Sequence, residues 1–211
     1  KIMEENGMKV YDSNQTGFIR PSFVGNAVRD NEVNRKRSYT DAVTGKWGVV
    51  ITPVEWLTLT ANIGLTNDNT RYNALYSRFG SQSSTDGLAY VSHRRDFAVT
   101  NQYLAEYKTD FGGSRHSLNL LAGYEIYSLT EQFLEGQNDH LFNPFIGELG
   151  NADGTSQKHT SSYTAEYMTQ GFLARGQYEY DNRYFFGASY RRDGSSRFAP
   201  GHRWGNFGSV S

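Results

Sequence analysis

From Thr44 onward, apolar and polar residues alternate along much of the chain with a period of two. Phe172, Ala174, Tyr178 and Tyr180 share one parity, and Arg175, Gln177 and Glu179 take the other. Tyr184, Phe186, Ala188 and Tyr190 repeat the pattern against Gly187, Ser189 and Arg191. A period of two places successive side chains on opposite faces of a strand. Asp181-Asn182-Arg183 is short enough to join the two strands as a hairpin, and Asp193-Gly194 predicts a second turn. The clearest strand lies upstream, where Leu57, Leu59, Ala61, Ile63 and Leu65 face away from Thr58, Thr60, Asn62, Gly64 and Thr66. Trp47, Val49 and Ile51 form a strand before it. Phe97, Val99, Tyr103, Ala105 and Tyr107 pair with Leu118, Leu120, Ala122, Tyr124 and Ile126 around Gly112-Gly113.

The connections between these strands alternate in length. Short periplasmic-type turns are expected near residues 53, 112 and 182, and long polar outer loops at about 67–94 and 132–162. All short connections then lie at one end of the sheet and all long ones at the other. Outer-membrane barrels have this asymmetry. A strand of about ten residues, tilted, crosses the hydrocarbon layer with one face to lipid and one to the lumen. Residues 43–211 therefore read as barrel wall. Residues 1–42 read as mostly loop, with at most one short strand around Phe18–Val28. Arg35-Lys36-Arg37 reads as part of that solvated loop, since three charges without aromatic partners specify nothing.

Composition narrows the class. The 211 residues carry a net charge of −1, so no charge excess points to nucleic acid. With 15 Tyr, 13 Phe and 22 Gly against only 4 Pro, the chain favours strands and turns over helices. No run approaches the roughly 20 apolar residues of a membrane helix, and a mean hydropathy of −0.66 suits strands with only one apolar face. The first residues lack the charged and apolar regions of a signal peptide. With no cysteine, disulfides add nothing to stability. Tyr107, Phe111, Tyr178, Tyr180 and Tyr184 fall beside the short turns, where a ring of aromatics would mark a membrane interface.

Candidate chemistry is sparse. His93, His116, His140, His159 and His202 are scattered without metal-ligand spacing. Asp193 with Ser195-Ser196 lacks a nucleophile elbow and a positioned base, and reads as a strand-end turn whose side chains bond the backbone. Glu125, Glu179 and Asp181 are isolated carboxylates. No catalytic residue, cofactor or metal is expected. Asn119, Glu125, Arg175, Gln177 and Glu179 would face the lumen, either hydrating it or lining a path through it. The rival to a barrel is a soluble all-β module that binds carbohydrate through its tyrosines, with its apolar face buried between two sheets.

The last third carries a resemblance. Tyr178–Ser211 contains Arg191, Arg192, Asp193, Gly194, Ser195, Ser196, Arg197 and Phe198 in the run RRDGSSRF, followed by RWGNFGSVS at Arg203–Ser211. This is similar to a signature stretch of SusC/RagA-type TonB-dependent outer-membrane transporters of Bacteroidetes-type bacteria. The similarity extends loosely to about residue 40 through HSLNLLAGYEIY at His116–Tyr127. It departs at Gly208, where the family usually has Pro. The resemblance implies an all-β fold of antiparallel strands forming part of a large, roughly 22-stranded transmembrane barrel whose plug is not included here. It implies import of glycan fragments or peptides with a SusD-like surface lipoprotein, energy from TonB through a part of the chain not present, and a barrel embedded in outer-membrane lipid. Pairs of transporter and lipoprotein assembled as dimers are also implied. The strands are too few to close such a barrel, so the chain is expected to be an internal segment of a longer polypeptide.

Overall fold

The computed structural model describes residues 2–5, 8–11, 27–80, 86–155 and 158–211. Strands β1 (Ile2–Glu5) and β2 (Met8–Tyr11) pair antiparallel in a small sheet, and helix α1 (Ala27–Val33) follows. Then come β3 (Arg35–Val54), β4 (Leu57–Tyr76), β5 (Leu88–Phe111), β6 (His116–Asp139), β7 (His159–Tyr180), β8 (Tyr184–Ser195) and β9 (Trp204–Val210). These seven make one sheet in sequence order, each strand beside the next. The sheet is not closed: β3 and β9 are its edges.

Turn chemistry explains the tight connections. Between β7 and β8, Asp181 and Asn182 adopt φ of 49° and 53°, and the Arg183 N–H donates to the Tyr180 carbonyl at 3.0 Å. Asp and Asn tolerate this left-handed backbone better than other residues with side chains, and it suits the twist of a hairpin. Between β5 and β6, Gly112, Gly113 and Ser114 carry φ of 63°, 71° and 63°. From the Asp181 turn the β7–β8 register runs from Tyr180↔Tyr184 through Leu173↔Arg191 to Thr169↔Ser195.

Several expectations require correction. Asp193-Gly194 is not a turn: both residues lie inside β8 and pair with Gly205 and Trp204 of β9, so the chain reverses within residues 196–203. The polar segments at 67–94 and 132–162 are strand at both ends rather than loop throughout. β4 continues to Tyr76, β5 starts at Leu88, β6 runs to Asp139 and β7 starts at His159. Polar residues on both faces conceal a strand that has no apolar side to bury. At about 3.3 Å per residue, the 24 residues of β5 reach about 80 Å, far more than a hydrocarbon layer of about 30 Å requires. Arg35-Lys36-Arg37 is not loop but the start of β3. Most of the strand expected around Phe18–Val28 lies outside the described residues, and Ala27 and Val28 belong to α1.

The chain divides into two compact units. The first comprises Lys1–Asp41, Asn69–Arg94 and Gln132–Tyr163. It holds a small core of Leu75, Ala89 and Leu141, against which Leu149 and Ala152 pack. The second comprises Ala42–Asp68, Arg95–Glu131 and Thr164–Ser211. No hydrophobic side chain of the second unit is buried. Trp47, Ile51, Tyr103 and Phe172 remain 58, 55, 47 and 48% exposed. Each large apolar side chain left in water forgoes roughly 1.5–3 kcal/mol, so this face requires a non-aqueous cover. The soluble reading needed a second sheet over it; among the described residues the second unit contributes strands to one sheet alone.

Candidate lumen face and membrane face

Parity assigns the two faces of the second unit. The apolar face ends, beside the short turns, in a cluster of rings. Trp56 meets Tyr107 edge-on at 5.4 Å between centroids. Phe111 stacks on His116 at 4.8 Å, and His116 lies 4.9 Å from Tyr180. His116 Nδ1 is hydrogen-bonded to the Tyr178 hydroxyl at 2.7 Å, and Tyr180 stacks on Tyr184 at 6.4 Å. Trp56 occupies the turn, out of step with the alternation, so its place in the cluster is invisible to periodicity. Rings with one polar edge favour the zone between lipid and water.

The opposite face carries a hydrogen-bonded chain across four strands. Asn62 Nδ2 on β4 donates to Gln102 Oε1 on β5 at 3.0 Å, and Gln102 Nε2 donates to Glu125 Oε1 on β6 at 2.6 Å. From β8, Arg191 donates through Nη2 to Glu125 Oε2 at 3.0 Å. Its Nε donates to both Asp193 carboxylate oxygens at 2.8 Å. Glu125 is therefore not the isolated carboxylate expected.

The strand between β6 and β8 is β7, and Arg191 must reach across it. Gly171 makes this possible. A Cβ there would lie 2.5 Å from Asp193 Oδ1 and 3.4 Å from Arg191 Nη2. Glycine thus leaves the gap through which the guanidinium crosses. The network borders a concavity of about 620 Å³, lined also by Tyr127, Phe198 and Arg203. Ion pairs this exposed contribute on the order of 0–1 kcal/mol each, so the network's value is in holding side chains in place.

The other expected lumen residues divide. Asn119 donates to Glu106 at 3.2 Å, and Glu106 also pairs with Lys108 at 2.9 Å. Arg175, Gln177 and Glu179 sit opposite Ser189, Gly187 and Phe185 of β8, nearer the Asp181 turn, and stand outside the Glu125 network. Sequence reasoning missed Asn62, Gln102 and Gly171. The first two were legible as polar-face positions; their connection to Glu125 depends on register.

The RRDGSSRF run proves to be a corner joining β7, β8 and β9. Arg192 points to the other face, its guanidinium 5.0 Å over the Trp204 ring. Gly194 lets that indole lie flat on the backbone, since a Cβ would come within 3.0 Å of three ring atoms. The Ser195 hydroxyl accepts from Arg197 N, and the Ser196 hydroxyl from Met168 N on β7. Arg197 covers Tyr167 at 4.2 Å, and the Phe198 carbonyl accepts from Arg203 Nε. Nothing in this arrangement activates a serine. Among the described residues no group of three or more His, Asp or Glu side chains is placed to hold a metal ion.

No protein-family model matches the chain. Among curated proteins, TonB-dependent receptor P39 of Formosa agariphila is 25% identical over 203 residues, covering 92% of this chain and 19% of the receptor. Receptor P26 of the same organism is 22% identical over 212 residues. Among solved structures, the RagAB peptide transporter superposes with a TM-score of 0.82 at 26% identity, over 93% of this chain and 22% of that one. The RagAB importer in its open-open state matches equally, over 97% of this chain. Over nearly its whole length the chain resembles SusC/RagA-type TonB-dependent transporters. It spans about a fifth of the length of these relatives. Like the TonB-dependent receptors and RagAB, it resides in the bacterial outer membrane. The uncovered apolar face and the ring cluster then have lipid and its interface as their surroundings. The relatives are receptors and transporters, not enzymes.

Proposed function

We propose that this chain supplies wall and lumen surface to a TonB-dependent importer of nutrients across the outer membrane. The cargo class is glycan fragments or peptides, a SusD-like surface lipoprotein is the partner, and TonB acts through residues beyond this stretch. Residues 43–211 serve as wall in this reading, with Asn119, Glu125, Arg175, Gln177 and Glu179 facing the lumen. The observation that carries the reading is a seven-stranded meander with an uncovered apolar face, superposable on the RagAB transporter. The receptors and the peptide transporter it resembles support import as the task.

The test is deletion of the coding gene, followed by growth on defined glycans or peptides as sole nutrient. Loss of growth on one polymer with normal growth on its monomer is the expected result. Growth unchanged on every polymer, with the protein present in the wild-type outer membrane, would overturn it.

A further inference from the structure

The first compact unit contains a second concavity, of about 650 Å³, that import by a barrel wall does not require. Its walls come from β3, from β4, from His93 on β5 and from the segment 145–148. Arg35 and Arg37 enter it together because they are two apart on one strand, while Lys36 points the other way and lies 4.8 Å over the Tyr76 ring. Tyr39 and Phe145, 55 and 52% exposed, supply aromatic surface.

The groove is built rather than collapsed. Arg71 donates to both oxygens of Glu148 at 3.2 and 3.1 Å, and its Nε donates to Asn73 Oδ1 at 3.1 Å. Behind that pair, Asn151 Nδ2 donates to the carbonyls of Asn143 and Ile146 at 2.7 and 2.8 Å, fixing the segment. Gly147 lies against Leu75, where a Cβ would come within 2.9 Å of the Leu75 Cβ. The charge balance is uneven. Glu148 is committed to Arg71, whereas Arg35 and Arg37 have no carboxylate partner among the described residues. Asp41 is the one further carboxylate on the walls.

We propose that this groove binds an anionic saccharide. Arg35 and Arg37 take the carboxylate, sulfate or phosphate of the sugar, since guanidinium groups match such anions with paired, charge-assisted hydrogen bonds. Tyr39 and Phe145 take the C–H face of the ring, which packs on aromatic carbon as other apolar surfaces do. A free acidic oligosaccharide and the phosphorylated sugars of lipopolysaccharide present the same chemistry. The site stands apart from import: a barrel that still takes up its nutrient with the groove disabled leaves the proposed function intact.

The experiment uses the whole polypeptide that carries this chain, purified in detergent, and isothermal titration with three probes. These are an oligogalacturonate, a neutral maltooligosaccharide of equal length, and lipopolysaccharide with and without its phosphates. The variants are Arg35→Gln with Arg37→Gln, and Lys36→Gln as the control on the opposite face. Binding of the oligogalacturonate that weakens at least about tenfold in the double variant and with added salt, but not in Lys36→Gln, supports a free acidic ligand. The same pattern seen only with phosphorylated lipopolysaccharide supports the membrane source. Binding of neither anionic probe overturns the proposal. So does binding unchanged by the double variant, provided that variant still migrates as a folded barrel on unheated gels.

Discussion

At Gly171 a single missing carbon decides whether one polar network exists. Alanine there would place a Cβ 2.5 Å from Asp193 Oδ1, forcing the Asp193–Arg191 pair aside and loosening the hold on Glu125. Gly171→Ala is expected to lower stability by about 1–3 kcal/mol, read as a lower thermal midpoint in detergent. Asp193→Ala should recover part of that loss, because it removes the group the methyl strikes. Strictly additive losses in the double variant would show that Gly171 acts otherwise. His140, at the end of β6, is a different single-residue case. Its Nδ1 lies 3.0 Å from Asp139 Oδ1, and this carboxylate, with Asp153 and Asp86 also near, raises its pKa above the usual 6.5. A raised folded pKa stabilises fully below the unfolded value and is lost as pH rises through the folded one. Protease cleavage within 141–155 should therefore be slower at pH 5.5 than at pH well above neutrality, and His140→Ala should abolish the difference. Equal cleavage rates in the wild type at both pH values would refute the link.

Individual strands show why one face was legible and the other was not. On β4, Leu57 to Leu65 alternate cleanly because lipid admits only apolar side chains on one side. Beyond Asn67 the same strand runs on with Asn, Asp, Thr and Arg, and periodicity gives no signal because neither face excludes water. Strand in that region is held by its neighbours' backbone hydrogen bonds, which composition does not reveal. The faces make an asymmetric prediction. Ile63→Lys puts a charge on the lipid side and is expected to cost about 2–4 kcal/mol near mid-bilayer, seen as a reduced folded fraction in the outer membrane. Asn62→Lys, one position away on the polar face, should assemble at near wild-type yield. Similar yields for both would contradict the assignment of faces. The RRDGSSRF run teaches the same lesson in reverse. Its identity as a signature was plain, yet Asp-Gly inside it suggested a turn, whereas β9 pairs with both residues and moves the reversal downstream.

Across the whole chain, the decisive feature is an apolar surface with nothing buried beneath it in the second unit. A soluble domain of this length would bury most of its large apolar side chains. Expressed alone in water, these 211 residues should aggregate, because both the apolar face and the open edges of β3 and β9 seek partners. Recovery is expected only in detergent or after refolding into lipid. A monodisperse monomer in buffer, by light scattering, would sink the membrane reading.

The sequence by itself determined the strand parity, the aromatic bias and the tight Asp181-Asn182 hairpin. These follow from local rules, since a side chain's parity and a turn's backbone depend on a few neighbours. Only the tertiary structure decided the register that links Asn62, Gln102, Glu125 and Arg191, the gap at Gly171, the recruitment of Trp56 and His116 to the ring cluster, and the groove at Arg35 and Arg37. Each of these needs residues far apart in sequence to arrive at one place. Pairing geometry sets that arrival, and the alternation of apolar and polar residues along a single strand does not encode it.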